Sequence, residues 1–195
     1  MFYPMASGTE TEVKVRLGRA ADIVHVMKAA GFRVSVPRLF EANTLYDTPD
    51  QDLRRKSMLL RLREVGDKVV LTWKGRNEPG AHKIRPERET TVGSAGVLEE
   101  ILGHLGYHPS FRYEKYRTEF VSDAAPSAGV VTVDETPIGD FLEIEGPADW
   151  IDATARKLGF TPQNYILESY GALYLADCAQ RGVQPSNMVF ASHNT

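Results

Sequence analysis

The chain has 195 residues, 42% of them apolar and 25% charged, the make-up of one compact domain with a single core and a short tail. A formal charge of −3 excludes the overall basic character of a nucleic-acid binder, so any cation cluster is local. The lone Cys178 excludes an internal disulfide and a cysteine-built metal cage, and no run of ~18 apolar residues offers a membrane-spanning helix.

Residues 1–8 read as an N-terminal extension without the basic stretch and apolar core of a leader, and the chain is expected in the cytoplasm. Thr9–Leu17 alternates with period two, placing Glu10, Glu12, Lys14 and Arg16 on one face and Val13, Val15 and Leu17 on the other. From Arg19 to Ala30 the spacing of Ile23, Val26, Met27 and Ala30 predicts a helix stopped at Gly31-Phe32. Tyr46 and Asp47 read as a strand end whose polar tips bond the turn at Pro49-Asp50, with a substrate contact as the alternative. Arg54-Arg55-Lys56 reads as a solvated basic loop, or else as a guide for an anionic substrate.

Leu59–Val65 sets Arg61 and Arg63 against Leu60 and Leu62, and Gly66-Asp67 links it as a hairpin to Lys68–Lys74, which presents Lys68, Thr72 and Lys74 on one face. After a loop at Gly75–His82, Arg85, Glu87 and Glu89 alternate with Arg88, Thr90 and Val92. Val97, Leu98, Ile101, Leu102 and Leu105 predict a second helix ending at Gly106-Tyr107. Lys115 and Arg117 then alternate with Tyr116, Thr118 and Phe120, a loop follows at Ser122–Gly129, and Val130–Thr136 carries Asp134 opposite Val131 and Val133. Phe141–Glu145 sets Glu143 and Glu145 opposite Leu142 and Ile144. Two more helices are predicted, Ala148–Leu158 ending at Gly159-Phe160 and Asn164–Gln180, before an irregular tail from Val183 to Thr195. His25, His82, His104, His108 and His193 fall on helices, loops or the tail and read as structural or solvated, and Cys178 reads as a buried helix residue.

The strands thus share one plan, a charged face backed by an apolar one. An open sheet with a wet charged face is one arrangement. The other curls the sheet until the charged faces look at one another across a ligand-sized interior and the apolar faces lie beneath helices. Burying unpartnered ions costs several kcal/mol each, so such an interior calls for a polyanion and divalent cations. The carboxylates are hard oxygen ligands, and the lysines and arginines are donors for phosphate oxygens.

Glu10-Thr11-Glu12-Val13-Lys14 matches the ExExK pattern of the CYTH superfamily, the triphosphate tunnel metalloenzymes that include class IV adenylyl cyclases, thiamine triphosphatases and inorganic triphosphatases. The resemblance extends, in family order, through Asn43-Thr44-Leu45-Tyr46-Asp47-Thr48-Pro49, Leu60–Arg63, Leu71–Gly75, Arg85-x-Glu87-x-Glu89, Lys115-x-Arg117-x-x-Phe120, Asp134-Glu135, Gly139–Glu145 and Glu168-Ser169-Tyr170. It implies an α+β fold, an eight-stranded antiparallel closed β-barrel with helices packed outside, over residues 9–182. It also implies Mg²⁺ or Mn²⁺ held by Glu10, Glu12, Glu143 and Glu145, with Asp134, Glu87 and Glu89 as further ligands or neighbouring acceptors. Lys14, Arg61, Arg63, Lys74, Arg85, Lys115 and Arg117 are implied to clamp a triphosphate, with Lys14, Glu10 and Glu12 nearest the chemistry. The sequence departs from the family at Thr91, where a further acidic residue is common.

The reading that follows is a metal-dependent triphosphatase acting on tripolyphosphate, thiamine triphosphate or a nucleoside triphosphate. The alternatives are a class IV adenylyl cyclase and a non-catalytic polyphosphate-binding module, the last disfavoured by retention of both acidic pairs. The expected partner is a small triphosphate, with no nucleic acid or membrane, and a homodimer is compatible with the family.

Overall fold

A computed structural model of the protein describes residues 7–18 and 20–191. Arg19, His193 and most of the predicted N-terminal extension lie outside the described residues. The strands are β1 (Ser7–Arg16), β2 (Phe32–Asp47), β3 (Leu59–Val65), β4 (Lys68–Lys74), β5 (Lys83–Val92), β6 (His108–Ser122), β7 (Val130–Thr136) and β8 (Gly139–Glu145). They close into an antiparallel barrel in the order β1-β5-β4-β3-β2-β6-β7-β8. Closure follows from β1 pairing on both sides: Ser7–Glu12 faces β5 and Glu12–Arg16 faces β8. A closed barrel has two faces, and because helices cover the apolar one outside, the charged one lines the interior. Helices α1 (Ala20–Ala29), α2 (Asp52–Arg55), α3 (Ala95–His104), α4 (Ala148–Lys157) and α5 (Tyr170–Arg181) complete the chain. No helix among the described residues is long and apolar enough to cross a membrane.

The outward apolar faces make the core. Val13, Val15, Val131, Val133, Leu142 and Ile144 pack against Ile23 and Met27 of α1, Ile151 and Ala155 of α4, and Leu158 just after it. Tyr113 and Phe141 pack against Tyr170, Tyr174 and Cys178 of α5, and Met188 of the tail joins them through a parallel bridge with Tyr113. A smaller cluster joins Tyr46 and Leu62 to Leu102 of α3. The predicted helix endings at Gly31, Gly106 and Gly159 hold, with φ of 76°, 85° and 87°, a region in which a Cβ is penalised. Only part of the predicted apolar stripe on α3 is used. Leu98 and Leu102 pack, whereas Val97, Ile101 and Leu105 are exposed, because the helix touches the barrel along one narrow seam.

The structure departs from the sequence reading in four elements, one of them the short helix α2 over Asp52–Arg55, where a loop was read. β2 was not predicted between Phe32 and Tyr46, since Pro37 and register shifts between Val34, Val36 and Leu39 break its alternation. β6 begins at His108, well before Lys115. The last helix begins at Tyr170 instead of Asn164, because Pro162–Asn164 forms a 3-10 turn and Ile166 bridges Lys14 as an extra strand contact. Asp47 serves the turn as expected, accepting from the backbone N–H of Thr48, Leu53 and Arg54, and the Tyr46 hydroxyl donates to Glu99 at 2.7 Å.

Candidate active site

The barrel encloses a cavity of about 950 Å³ bordered by Glu10, Glu12, Lys14, Arg61, Arg63, Lys74, Arg85, Glu87, Glu89, Lys115, Arg117, Glu143 and Glu145. Every site residue read from the sequence is therefore brought to one interior except Asp134, which lies behind the cavity wall and is fully buried. Arg54, Arg55 and Lys56 are exposed and do not border the cavity, and Thr91 is exposed on β5.

One arc of wall belongs to β1, β4 and β5. Lys74 Nζ donates to Glu10 Oε1 at 2.6 Å and lies 3.1 Å from Glu87, Arg85 Nε donates to Glu10 Oε2 at 3.0 Å, and Lys83 Nζ donates to Glu12 Oε1 at 2.5 Å. Burial opposes the charged form of Glu12, yet Lys83 holds its carboxyl well below the ordinary range. Glu145 is different. It is open to the lumen and makes no hydrogen bond or ion pair with another described side chain. Its carboxyl is pushed up to about 8 by desolvation and then by repulsion from Glu10 and Glu12.

A second arc comes from β6, β7 and β8. Asp134 accepts from Lys115 Nζ at 2.9 Å, from Arg117 Nε at 2.7 Å and Nη2 at 2.6 Å, and from the Tyr170 hydroxyl at 2.7 Å. Three of these bonds fall on Oδ2 and one on Oδ1, so in this arrangement Asp134 acts as the counter-ion of two cations. Glu143 lies 3.0 Å from Lys14 and pairs closely with Arg117, and despite burial those cations hold it well below the ordinary carboxylate range. Lys14 also sits 4.4 Å above the Tyr170 ring, a cation–π contact across the first turn of α5.

The third arc is basic. Arg61 Nη2 donates to Thr72 at 3.1 Å and Glu89 at 3.2 Å, and Nη1 approaches the Tyr113 hydroxyl at 3.4 Å. Although burial pushes the Tyr113 phenol up, Arg61 and Lys115 bring it below its ordinary value. Arg63 and Lys115 face Glu41 at 3.8 and 3.5 Å.

Sequence reasoning missed Lys83, Glu41 and Tyr113. Lys83 shares the alternation of Arg85 and Glu87 and is the first residue after the predicted Gly75–His82 loop, so it was legible there, but it was not named among the inward charges. Glu41 and Tyr113 sit on stretches of β2 and β6 not recognised as strand. With them and Glu119 included, the cavity wall and the layer behind it carry, among the described residues, nine carboxylates (Glu10, Glu12, Glu41, Glu87, Glu89, Glu119, Asp134, Glu143, Glu145) against eight cations (Lys14, Arg61, Arg63, Lys74, Lys83, Arg85, Lys115, Arg117). The interior charges are thus nearly offset through internal pairing, and what it can admit is an anion accompanied by compensating cations.

No group of three or more acidic, His or Cys side chains among the described residues is arranged as a ready cation cage. Mg²⁺ does not need one: it is commonly bound by one or two carboxylates with phosphate oxygens and water completing its shell. The donor set fits such an ion. The unpaired Glu145 beside Glu10, Glu12 and Glu87 is a carboxyl whose ionised form its neighbours oppose, and a divalent cation there would favour that form.

Comparison with known proteins agrees with this geometry. The family model for the CYTH domain matches residues 8–170. A Methanocaldococcus jannaschii protein provisionally named an adenylate cyclase is 24% identical over 168 residues, covering 83% of this chain and 95% of that protein. Among solved structures, a provisionally named adenylate cyclase from Vibrio parahaemolyticus superposes with a TM-score of 0.74 at 20% identity, covering 86% of this chain and 98% of its own. A Hippeastrum protein, a provisional adenylyl cyclase described as having a dominant triphosphatase activity, superposes with a TM-score of 0.61 at 15% identity, covering 91% and 97%. The fold, the inward charge and the extent of the family match together place this chain in the CYTH domain family.

Proposed function

We propose that the protein is a metal-dependent triphosphatase that grips a triphosphate chain inside the barrel and transfers its terminal phosphoryl group to water. The observation that carries this reading is the meeting of two charge sets on one cavity: Arg61, Arg63, Lys115 and Arg117, and the carboxylates Glu10, Glu12, Glu87 and Glu145 interleaved with Lys74, Lys83 and Arg85. Arginine forks suit the paired oxygens of phosphate, and Lys14 supplies a point charge between the two regions. Glu10, Glu12 and Glu145 would hold Mg²⁺ or Mn²⁺, with Glu87 beside them. When bound, the metal supplies charge neutralisation and polarisation of the phosphoryl oxygens.

The chain's own contribution is positioning. Asp134 fixes Lys115 and Arg117 from behind, and Thr72 with Glu89 fixes Arg61. A loose phosphoryl-transfer transition state spreads charge over the equatorial oxygens, and cations already held in place stabilise it without reorganising. Hydrolysis is favoured over cyclisation because the charged residues bordering the cavity suit phosphate or metal and, among the described residues, no aromatic side chain there is free to stack on a base. The two aromatic side chains that border it, Tyr113 and Tyr170, are engaged by their hydroxyls with Arg61 and Asp134. The activity described for the Hippeastrum relative points the same way.

The test is incubation of the pure protein with tripolyphosphate, thiamine triphosphate and ATP, each with Mg²⁺ or Mn²⁺, and separation of the products. Orthophosphate with the corresponding diphosphate is expected. Cyclic AMP with pyrophosphate would replace this reading by the cyclase.

A further inference from the structure

Arg63 is the one cation of the inner wall, among the described residues, that donates no hydrogen bond to the protein. Its Nε is buried without an acceptor, while its side chain borders the cavity. The one ion pair that holds it is with Glu41 Oε2 at 3.8 Å, beyond hydrogen-bond reach. That same oxygen lies 3.5 Å from Lys115 Nζ, is buried, and accepts no hydrogen bond itself. Glu41 is 4% exposed and does not border the cavity, whereas Arg63 and Lys115 both do. It is a fixed negative charge set one layer behind the basic wall.

We propose that Glu41 is a positioning residue that sets the anion affinity of the basic wall. It holds Arg63 by charge alone, leaves the guanidinium donors of Arg63 free for phosphate, and offsets part of the field of Arg63 and Lys115 so that the phosphate product can leave. The proposal rests on the phosphate-binding reading of this wall. Its geometry separates Glu41 from Asp134, which saturates its cations with hydrogen bonds at 2.6–2.9 Å, and from Glu89, which bonds Arg61 at 3.2 Å. An acceptor that bonded Arg63 in the same way would compete with phosphate for the guanidinium fork; a carboxylate at 3.8 Å does not. Burial opposes the charge on Glu41, but Arg63, Lys115, Arg117 and Arg61 keep its carboxyl well below the ordinary range, so it remains an anion throughout the working pH range.

The test measures binding and needs no turnover. Tripolyphosphate and pyrophosphate are titrated calorimetrically into the full chain with a chelator present, for the wild type and Glu41→Gln. Removing one negative charge within about 8 Å of the bound anion strengthens binding roughly tenfold at an effective dielectric between the protein and water values. In steady-state assays of the same variant KM falls and kcat falls with it, because release is slowed. A purely structural role would lower thermal stability and leave the affinity of the folded protein unchanged.

Because Glu41→Gln leaves two buried cations short of a partner, Arg63→Gln is compared with the double variant Arg63→Gln/Glu41→Gln, which keeps the net charge of the wild type. The double variant is expected to bind pyrophosphate about tenfold more tightly than Arg63→Gln alone, by the same charge argument. Unchanged or weaker affinity on removing Glu41, in either background, overturns the proposal. A wild type that binds neither anion would instead overturn the phosphate-binding reading beneath it.

Discussion

Asp134→Asn separates a counter-ion from a metal ligand. The substitution keeps the shape of the side chain but removes the charge that faces Lys115 and Arg117, and it turns an N–H₂ group toward donors now 2.6–2.9 Å away. At a site with no solvent exposure, breaking a buried ion pair costs about 3–5 kcal/mol, since the abandoned cations cannot recover water. The Tyr170 hydroxyl, which donates to the same carboxylate at 2.7 Å, loses a charged acceptor as well, so the upper part of that range is expected. For a chain of this length the corresponding fall in Tm is roughly 6–20 °C, taking 2–4 °C per kcal/mol. Urea and thermal unfolding of both proteins in the presence of a chelator measure it. A loss below about 1 kcal/mol, or a loss that appears only when divalent metal is added, would refute the counter-ion argument.

Three further outcomes follow from the same wall. Glu145→Gln removes a carboxylate that has no cationic partner and is repelled by Glu10 and Glu12, so the metal-free protein is expected to be as stable as the wild type or more so. Mn²⁺ affinity in the presence of tripolyphosphate, read by calorimetry, should fall at least about tenfold, the scale on which ligand shells tune metal affinity. Gly129→Ala places a Cβ 2.5 Å from the Glu145 carbonyl oxygen and against the Trp150 ring, both set by the packing of α4. It should destabilise the protein by about 1–3 kcal/mol in urea unfolding, as overpacking does. Tripolyphosphate binding should weaken steeply from low to high salt, because it is carried by charge, and a salt-independent affinity would count against the clamp.

Much of the barrel was legible because a closed sheet needs only period two and an apolar face for the helices to cover. β1, β3, β4, β7 and β8 show both without interruption, and their inward charges were found with them. β2 was hidden by Pro37 and by bulges that shift its faces, so Glu41 was not named and Asn43 was seen only as part of a motif. The donor types and the shared interior could be read from alternation. The assignment of partners could not, because whether Asp134 meets a metal or two cations depends on the register that sets Arg117 opposite it, at Arg117↔Asp134, and on Tyr170 arriving from α5. The start of that helix was misplaced for a related reason: the segment around Ile166 has helical periodicity, but backbone groups of β1 left unpaired beyond Glu12 recruit it as a bridge to Lys14.

The most direct measurement is a crystal structure with a methylene-bridged triphosphate and Mn²⁺, the metal located by anomalous scattering. The phosphate chain is predicted inside the barrel against Arg61, Arg63, Lys115 and Arg117, with the Mn²⁺ peak on the side of Glu10, Glu12 and Glu145. Phosphate bound on the outer surface, with the internal ion pairs undisturbed and no metal within the tunnel, would contradict the account.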